Sequence, residues 1–363
     1  MPSVQKALFL EKKFGDLIIK DTEVYKPGPG EILIKIQATS LNPIDWKIQK
    51  YGLFLEKFPA VLGCDIAGDV EELGEGVTGF EKGDRVFVQG QFNYSRHASF
   101  QQYAIGIAST AAKIPANWTY DNISALPGVL SCAYVALYNK SPFGLGCAPP
   151  ISEATQGKYA RTPIVILGGA SSVGQIGIFL SVHLFRIVSE TKSAIQLAKL
   201  SGFSPILTTA SLRHTEHLKS LGATNVFDRD FSSTELINEI KKASGDKPIK
   251  YVFDTVCSER TQQDGLNILA PGGEIALVLP LAVKVPEDKK VINVNGFLRG
   301  PENIELLETL YHKHTTAWLE QGFIKPKHVE VLPHGLAGIP GGLTRMQANQ
   351  VSGFKLVARP QES

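Results

Sequence analysis

The hydrophobic pattern changes character near residue 120, and this change divides the chain into two parts. Before that point, short alternating or β-branched segments are separated by glycine turns, a spacing typical of a small barrel. The segments are Val4–Leu10, Leu17–Val24, Ile32–Ala38, Ile66–Leu73 and Arg85–Gln89. We therefore predict a β-rich domain from residue 4 to about residue 125.

Beyond that point, strands alternate with helices. Asn122–Asn139 predicts a helix, and Ser141–Pro163, rich in Pro, Gly and Ser, predicts a long surface loop. The alternation that follows predicts a mainly parallel sheet with helices on both faces. Its elements are Ile164–Leu167, Pro205–Ala210, His214–Leu221, Asn225–Phe227, Ser233–Ala243, Tyr251–Asp254, Gln262–Leu269 and Glu274–Leu279. A last helix, Asn303–Gln321, precedes strand-like Lys327–Leu332 and Gly353–Ala358, which can return to the first part.

Composition and charge narrow the classes of partner. The chain is 43% hydrophobic and 20% charged with a net charge of +2, and it has no basic stripe with interleaved aromatics. We therefore expect a globular protein with no nucleic-acid partner. The apolar run at the N-terminus is too short for a signal peptide or a membrane span. Four scattered cysteines (Cys64, Cys132, Cys147, Cys257) lack CxxC spacing, which predicts reduced thiols in a cytoplasmic protein.

The stretch Thr162–Gly177 has the layout of a dinucleotide site. The apolar run Ile164–Leu167 stops at Gly168-Gly169, and a helix can begin at Val173-Gly174. Counted back from Gly174, Gly169 is the first glycine of GxGxxG, and Ser171 replaces the second. Free N–H groups at a helix start attract phosphate oxygens. The predicted phosphate contacts are Gly169, Ala170, Ser171, Ser172, Val173 and Gly174; an ordinary strand-to-helix turn is the alternative.

Further motifs agree with one another along nearly the whole chain. They include Leu41–Asp45, Leu62–Gly68, Gly83–Val86 and Leu269–Gly273. Together they resemble the medium-chain dehydrogenases/reductases. The resemblance implies an α/β fold, with a GroES-like β-barrel domain in residues 1–125 completed by 301–363. It also implies a Rossmann doubly wound parallel-sheet domain in residues 126–300 that binds the cofactor.

The branch of this superfamily follows from missing metal ligands. Its zinc alcohol dehydrogenases carry a Cys where this chain has Asn42 and a His where it has Cys64, and no third ligand stands near Gly128. Because a catalytic zinc needs about three protein ligands, we predict no metal. The chain is similar to the zinc-free quinone oxidoreductases and enoyl reductases, and within them to the trans-acting enoyl reductases of polyketide pathways.

The residues after the second Rossmann strand bear on the choice of cofactor. Ser211-Leu212-Arg213-His214 offers no acid for the ribose hydroxyls that an NAD site binds. A hydroxyl followed by a guanidinium suits a 2′-phosphate, so we predict NADP(H). The alternative is that Ser211 caps a helix and that Arg213 is solvated. The resemblance extends the predicted cofactor set to Asn42, Ile44, Asp45, Lys47, Arg229, Val278, Leu279, Ser352 and Gly353.

The resemblance also implies the chemistry, which is hydride transfer from NADPH to an activated carbon–carbon double bond. Lys47 matches a lysine near the cofactor in enoyl reductases; the alternative is that it is an ordinary exposed lysine. Tyr134 is a second candidate for the hydrogen-bond donor to the carbonyl oxygen; the alternative is that it is an aromatic residue of the core. The predicted substrates are enoyl thioesters, enones or quinones, free or carrier-bound, reduced by a monomer or homodimer with no membrane partner. A non-catalytic, crystallin-like dinucleotide-binding protein is the rival hypothesis.

Ile176–Lys192 departs from the family pattern. Gly174 and Ser211 lie much farther apart than the family's usual separation of about two dozen residues or fewer between the glycine turn and the second strand. Ser193–Gly202 resembles the expected helix and its glycine stop, so Ile176–Lys192 is predicted to be an insertion. A natural extension and translated intronic sequence are both open, with the second favoured. A chain inactivated by this segment is the third functional hypothesis.

Overall fold

The computed structural model describes residues 2–171, 173, 196–324 and 328–363, which form two compact units. The first unit comprises Met1–Gly128, Glu308–Glu320 and Lys327–Ser363, and the second comprises Val129–Leu307 and Gln321–Pro326. The first unit therefore ends at Gly128 rather than at residue 125, and the chain re-enters it at Glu308 rather than at residue 301. The predicted insertion at 176–192 lies outside the described residues, as do Ser172 and Gly174.

The first unit contains two sheets. The smaller has the strand order β2-β1-β4 and consists of β1 (Val4–Leu10), β2 (Leu17–Glu23) and β4 (Ala60–Val61). The larger has the order β15-β16-β3-β5-β6-β8, with β7 also paired to β3. Its strands are β3 (Glu31–Ser40), β5 (Asp65–Leu73), β6 (Arg85–Gln89), β7 (Tyr103–Ile107), β8 (Ala111–Lys113), β15 (Val329–Val331) and β16 (Lys355–Ala358). The sequence pattern did not indicate β7 and β8.

Helix α1 (Pro43–Tyr51) follows β3 directly and was also absent from the predicted elements. Asn42 is its extended N-cap, Pro43 occupies the first turn, and the Asp45 carboxylate accepts from the Asn42 N–H. Each of these is a helix-start signal. The helix ends at Gly52, whose φ of 61° is left-handed. This arrangement places Asn42, Asp45 and Lys47 on one short element.

The predicted helix Asn122–Asn139 is two helices in the structure, α2 (Tyr120–Ser124) and α3 (Pro127–Tyr138). Pro127 explains the break, because proline lacks an N–H and disfavours a helical conformation of the residue before it. The predicted helix Asn303–Gln321 is likewise divided, into α8 (Ile304–Thr309), a π-helical turn (Leu310–Thr315) and α9 (Thr316–Glu320). Near the C-terminus, α10 (Ile339–Gln347) precedes β16.

The second unit is built on a parallel sheet with the strand order β11-β10-β9-β12-β13-β14. The strands are β9 (Ile164–Leu167), β10 (Ile206–Ala210), β11 (Asn225–Asp228), β12 (Tyr251–Asp254), β13 (Glu274–Leu277) and β14 (Lys290–Asn293). Its helices include α4 (Gln196–Leu200), α5 (Thr215–Ser220), α6 (Ser233–Ser244) and α7 (Glu259–Ile268). The predicted α/β class is confirmed. Because β9 lies between β10 and β12, the carboxyl end of β9 is the switch point where such sheets bind ligands.

The predicted surface loop Ser141–Pro163 has no regular secondary structure, but it is anchored to the second unit. The Tyr159 ring stacks on Phe203 with centroids 4.6 Å apart and planes within 6°, and both rings meet Tyr251 edge-on. The Tyr159 hydroxyl also accepts from the Ala148 N–H at 2.6 Å. The aromatic cluster therefore fixes this loop despite its composition. Over the part of the chain that the structure describes, no helix is long and apolar enough to cross a membrane.

Candidate active site

The glycine turn lies at the carboxyl end of β9, in the centre of the parallel sheet. Gly168 has a φ of 83°, and a Cβ there would come within 2.9 Å of Thr255 Oγ1, so only glycine fits. Its N–H donates to Thr209 Oγ1 at 3.0 Å, and the Gly169 N–H donates to the Thr209 carbonyl at 2.9 Å. These bonds fix the turn against the neighbouring strand β10.

Two of the predicted phosphate contacts already use their N–H groups inside the turn. Gly169 donates to Thr209, and the Ser171 N–H donates to the Gly168 carbonyl at 2.9 Å. The Ser171 hydroxyl is 2.8 Å from Thr255 Oγ1. Gly169 and Ser171 therefore use their N–H groups to shape the turn. Val173 is helical in the structure.

A basic cluster lies at the carboxyl ends of β10 and β11. Arg213 Nε donates to His214 Nε2 at 3.2 Å, and the Arg229 N–H donates to the Ala210 carbonyl at 3.0 Å. Partial burial lowers the pKa of His214, and the positive charges of Arg213 and Arg229 lower it further. Arg213 and His214 are thus in contact, and Arg229, whose Nε lies 3.8 Å from Asp230 Oδ1, is near enough to influence His214. Ala210 and Ser211 carry no acid, although Asp228 and Asp230 flank Arg229.

The remaining predicted residues of the second unit have different surroundings. Val278 and Leu279 directly follow β13 and pack, partly buried, on the hydrophobic core of the sheet. Ser211 occupies the N-cap position of the 3-10 helix Leu212–His214 without a side-chain capping bond, and Arg213 is exposed, as the alternative expects. Tyr134 is fully buried on α3, edge-on to Tyr138 with ring centroids 4.8 Å apart, and burial raises its pKa. This environment favours the packing role for Tyr134.

In the first unit, a buried ion pair joins β5 to β16. Lys355 Nζ lies 2.6 Å from Asp65 Oδ2, and the two residues are 2% and 0% exposed. The Ser40 hydroxyl donates to the same oxygen at 2.6 Å, and Asn42 Nδ2 donates to it at 2.8 Å. The Gly128 N–H donates to Asp65 Oδ1 at 2.7 Å. The carboxylate is therefore fully satisfied, and it fixes the Asn42 side chain at the start of α1.

Asn42 and Cys64 stand where related zinc enzymes carry metal ligands, and their chemistry does not fit zinc. Asn42 Nδ2 lies 3.6 Å from Cys64 Sγ. Zinc binds thiolate, imidazole or carboxylate, and Asn42 offers only an amide whose Nδ2 donates to Asp65 Oδ2 at 2.8 Å. The adjacent Asp65 carboxylate is already paired with Lys355. Among the described residues, no group of three or more His, Cys, Asp or Glu side chains could hold a metal ion.

Asp45 is a buried acid beside this ion pair. Its side chain is 0% exposed, and Oδ2 accepts from the Asn42 N–H at 2.7 Å. Burial raises the pKa of Asp45 to about 7, against the hydrogen bond from the Asn42 backbone, which lowers it. Asp45 is therefore largely protonated in the folded protein below neutral pH, although an ordinary aspartate ionises near pH 4.

Asp45→Asn should flatten the pH dependence of stability between about pH 4 and pH 7. In this range folding takes up a proton at Asp45, so the stabilisation that it contributes is complete below about pH 4 and is lost as the pH rises through about 7. The asparagine variant should match the native protein near pH 4 and exceed it near pH 8 by a few kcal/mol, since one pKa unit is about 1.4 kcal/mol. Urea unfolding at both pH values measures this. Asp16→Asn, an exposed control, should not change the slope, and an unchanged slope for Asp45→Asn would contradict the account.

The other predicted residues of the first unit lie around α1 and β16. Lys47 is half-buried on α1, with Nζ 5.7 Å from the centroid of the Trp46 ring. Ile44 packs against the core cluster of this unit. Ser352 is exposed, and Gly353, with a φ of 83°, precedes β16. The predicted site residues are thus divided between the two units, those on α1 and before β16 in the first and those at the strand ends and on α3 in the second.

Sequence reasoning missed four residues that fix parts of the site, two within each unit. Thr209 and Thr255 fix the glycine turn through their hydroxyl groups, while Asp65 and Lys355 fix Asn42. For Thr255 a signal was available, because it directly follows the predicted strand Tyr251–Asp254 and therefore lies at the same sheet edge as Gly168. Nothing local to Lys355 indicates its partner.

Comparison with known proteins identifies the family. Residues 28–123 match the alcohol dehydrogenase GroES-like domain, and residues 192–308 match the zinc-binding dehydrogenase family. Together the two matches span more than half of the chain. The chain belongs to the medium-chain dehydrogenase/reductase family and is an oxidoreductase of that family, as the sequence predicted. Its dinucleotide-binding fold implies use of NAD(P)(H).

Individual relatives agree with this assignment. A trans-enoyl reductase of Aspergillus japonicus is 31% identical over 335 residues, which are 90% of this chain and 89% of the relative. The crystal structure of an alcohol dehydrogenase superfamily protein from Novosphingobium aromaticivorans has a TM-score of 0.76 at 21% identity, covering 97% of this chain and 99% of its own. The enoyl reductase CurK has a TM-score of 0.72 at 18% identity, covering 99% of both chains. The structural similarities support the fold, and the predicted GroES-like and Rossmann domains are confirmed.

Proposed function

We propose that this protein is an NADPH-dependent, zinc-independent reductase of activated carbon–carbon double bonds in enoyl thioesters, enones or quinones. The observation that carries the proposal is the basic cluster of Arg213, His214 and Arg229 at the end of β10, in the unit that bears the glycine turn. Two guanidinium groups and an imidazole suit the 2′-phosphate that distinguishes NADPH from NADH. The named trans-enoyl reductase relative supports the reaction type.

The reaction needs a hydride, a proton and stabilisation of one negative charge. Bound NADPH supplies the hydride, which adds to the β-carbon of the conjugated double bond. The electron pair moves to the carbonyl oxygen, where a fixed donor or cation lowers the barrier. A proton added at the α-carbon, from water or a nearby acid, completes the reduction. Because Asn42 and Cys64 do not fit zinc, this charge stabilisation is assigned to side chains.

Lys47 is the side chain to which we assign that role. Its position on α1 follows directly from the capped start at Asn42, which the Asp65–Lys355 pair fixes. The Lys47 ammonium lies over the neighbouring Trp46 ring, and this cation–π contact restricts the positions that the ammonium can adopt. A lysine held in this way provides a positive charge near the developing enolate.

Lys47→Ala should lower kcat by about tenfold or more with crotonyl thioesters or cyclic enones, which corresponds to about 1.4 kcal/mol of barrier. The loss should fall on kcat more than on the KM for NADPH, because the charge matters most in the transition state. Lys50→Ala is the matched control one helical turn away, and it should retain native turnover of these small substrates. Native kcat for Lys47→Ala on every accepted substrate would remove Lys47 from the reaction.

The decisive functional assay is a panel of enones, enoyl thioesters and quinones, followed by the loss of NADPH absorbance. Turnover that survives chelators is expected. Tight NADPH binding without oxidation of NADPH by any member of the panel would favour the non-catalytic, crystallin-like alternative. No binding of either nicotinamide cofactor would favour a chain inactivated at 176–192. We also propose a cytoplasmic location, since all four cysteines are thiols.

A further inference from the structure

An exposed apolar surface with basic margins lies on the first unit, outside the groups described above. Its large apolar side chains are Phe14, Tyr51, Leu53 and Phe54, which are 63%, 52%, 40% and 60% exposed. Lys13 and Lys50 are exposed beside them. We call these six residues the aromatic–lysine surface. Single exposed apolar residues are ordinary, but adjacent exposed aromatic side chains mark interaction sites.

The surface is held as one piece by contacts between its segments. Gln49 Nε2 on α1 donates to the Gly15 carbonyl at 3.0 Å, which ties the helix to the turn between β1 and β2. Gly52 packs against this turn so closely that a Cβ there would lie 2.9 Å from the Phe14 ring. The Phe54 ring lies 6.0 Å from Phe92. Phe14 and Tyr51 are thus brought together on a preformed surface, and Phe54 follows Tyr51 by three residues.

Charge on this surface is mainly positive. Lys13 Nζ lies 5.4 Å from the Phe14 ring centroid, and Lys50 Nζ lies 6.0 Å from that of Tyr51, so each cation stands over an aromatic face. The segments 12–16 and 50–57 together contain four exposed lysines and two exposed carboxylates. An apolar patch with such lysines is complementary to carboxylates spaced around apolar side chains.

The surface is continuous with the proposed catalytic lysine. Lys47 and Lys50 are three residues apart on α1 and therefore lie on the same face of the helix. A macromolecule seated on the aromatic–lysine surface is thus placed next to Lys47. If the substrate is an enoyl thioester, a protein that carries the thioester and binds this surface would bring the thioester close to Lys47.

We propose that the aromatic–lysine surface docks the acidic face of a protein that carries the enoyl group as a thioester. This inference rests on the proposed reductase function. Aromatic side chains of the surface cover apolar side chains of the carrier, and Lys13 and Lys50 pair with its carboxylates. Docking raises the local concentration of the thioester at Lys47 without any change in the chemical step.

The test compares one acyl group in two forms, crotonyl held on a small acidic acyl-carrier protein and crotonyl-N-acetylcysteamine. Lys13→Glu/Lys50→Glu reverses the charge, Phe14→Ser/Phe54→Ser removes the apolar contact, and Lys241→Glu/Lys242→Glu on α6 is the matched control. The first two variants should lower kcat/KM for the carrier-bound substrate by at least about tenfold and leave the small thioester unchanged. Binding of fluorescently labelled carrier should weaken in parallel, and high salt should lower native binding towards the charge-reversed level.

Several outcomes overturn the proposal. The first is that both surface variants keep the native kcat/KM for the carrier-bound substrate. The second is that kcat/KM falls equally for the carrier-bound and the small thioester. The third is that the native protein does not bind the carrier at low salt. If the two surface variants no longer sediment with phosphatidylserine vesicles, although the native protein does and the variants still bind the carrier, the surface would be assigned to a membrane. Failure of the proposed function looks different: neither substrate oxidises NADPH, although carrier binding still depends on the surface. Unchanged urea unfolding verifies that the variants are folded.

Discussion

Alanine at both Arg213 and Arg229 is expected to weaken NADPH binding by about a hundredfold or more and to leave NADH binding within about threefold of the native value. A hydrogen bond to a charged group contributes about 1.5–3 kcal/mol, and a tenfold change is about 1.4 kcal/mol. Both guanidinium charges lower the pKa of His214 at the end of β10, and Arg229 also has its Nε 3.8 Å from Asp230 Oδ1. NADH lacks that phosphate and should not respond.

Fluorescence titration of both cofactors measures this effect. Lys241→Ala/Lys242→Ala is the matched control, since it removes two exposed positive charges from α6 of the same unit. The control should bind both cofactors normally, which would exclude a general effect of net charge. Equal weakening of NADPH and NADH by Arg213→Ala/Arg229→Ala would instead show that the basic cluster does not bind a 2′-phosphate.

Lys355→Met should destabilise the protein by about 3–5 kcal/mol, because it leaves the Asp65 carboxylate buried without its cation. The pair is 2.6 Å apart, with side chains 3% and 0% exposed. Asp65 also holds Ser40, Asn42 and the Gly128 N–H, so its displacement disturbs the start of α1 as well. Urea unfolding of the native and variant chains gives the difference directly.

Two further variants separate the buried charge from lost packing. Lys290→Met removes an ion pair with Glu274 whose lysine side chain is 67% exposed, and it should cost less than about 1 kcal/mol. Asp65→Asn combined with Lys355→Met leaves no buried charge and should recover part of the stability. If Lys355→Met costs no more than Lys290→Met, the buried pair does not stabilise the fold as described.

The elements that the sequence predicted well are those whose signals are local. A strand such as Ile164–Leu167 is a continuous apolar run ended by glycines, and its position in a parallel sheet follows from the alternating pattern. The end of β10 is equally local, because Ser211, Arg213 and His214 directly follow the strand. The structure places Arg213 and His214 at this strand end, and their binding to a cofactor stays a prediction.

The features that could not be predicted depend on contacts between distant residues. Asp65 and Lys355 are 290 positions apart, and only the pairing of β16 with β3 brings them together. A lysine in the apolar strand Lys355–Ala358 has no sequence signal for burial. Helix α1 had usable capping signals at Asn42 and Asp45, but its 9 residues are too few to show a clear helical period.

The central claim is hydride transfer to a carbon–carbon double bond, and deuterium transfer tests it most directly. The native protein is incubated with crotonyl-N-acetylcysteamine and each C4-deuterated epimer of NADPH in turn, and the product is analysed by mass spectrometry. The account predicts a saturated thioester that carries one deuterium at the β-carbon, from one epimer only, with chelator present. An alcohol or aldehyde with deuterium at the former carbonyl carbon, or no deuterated product from either epimer, would contradict it.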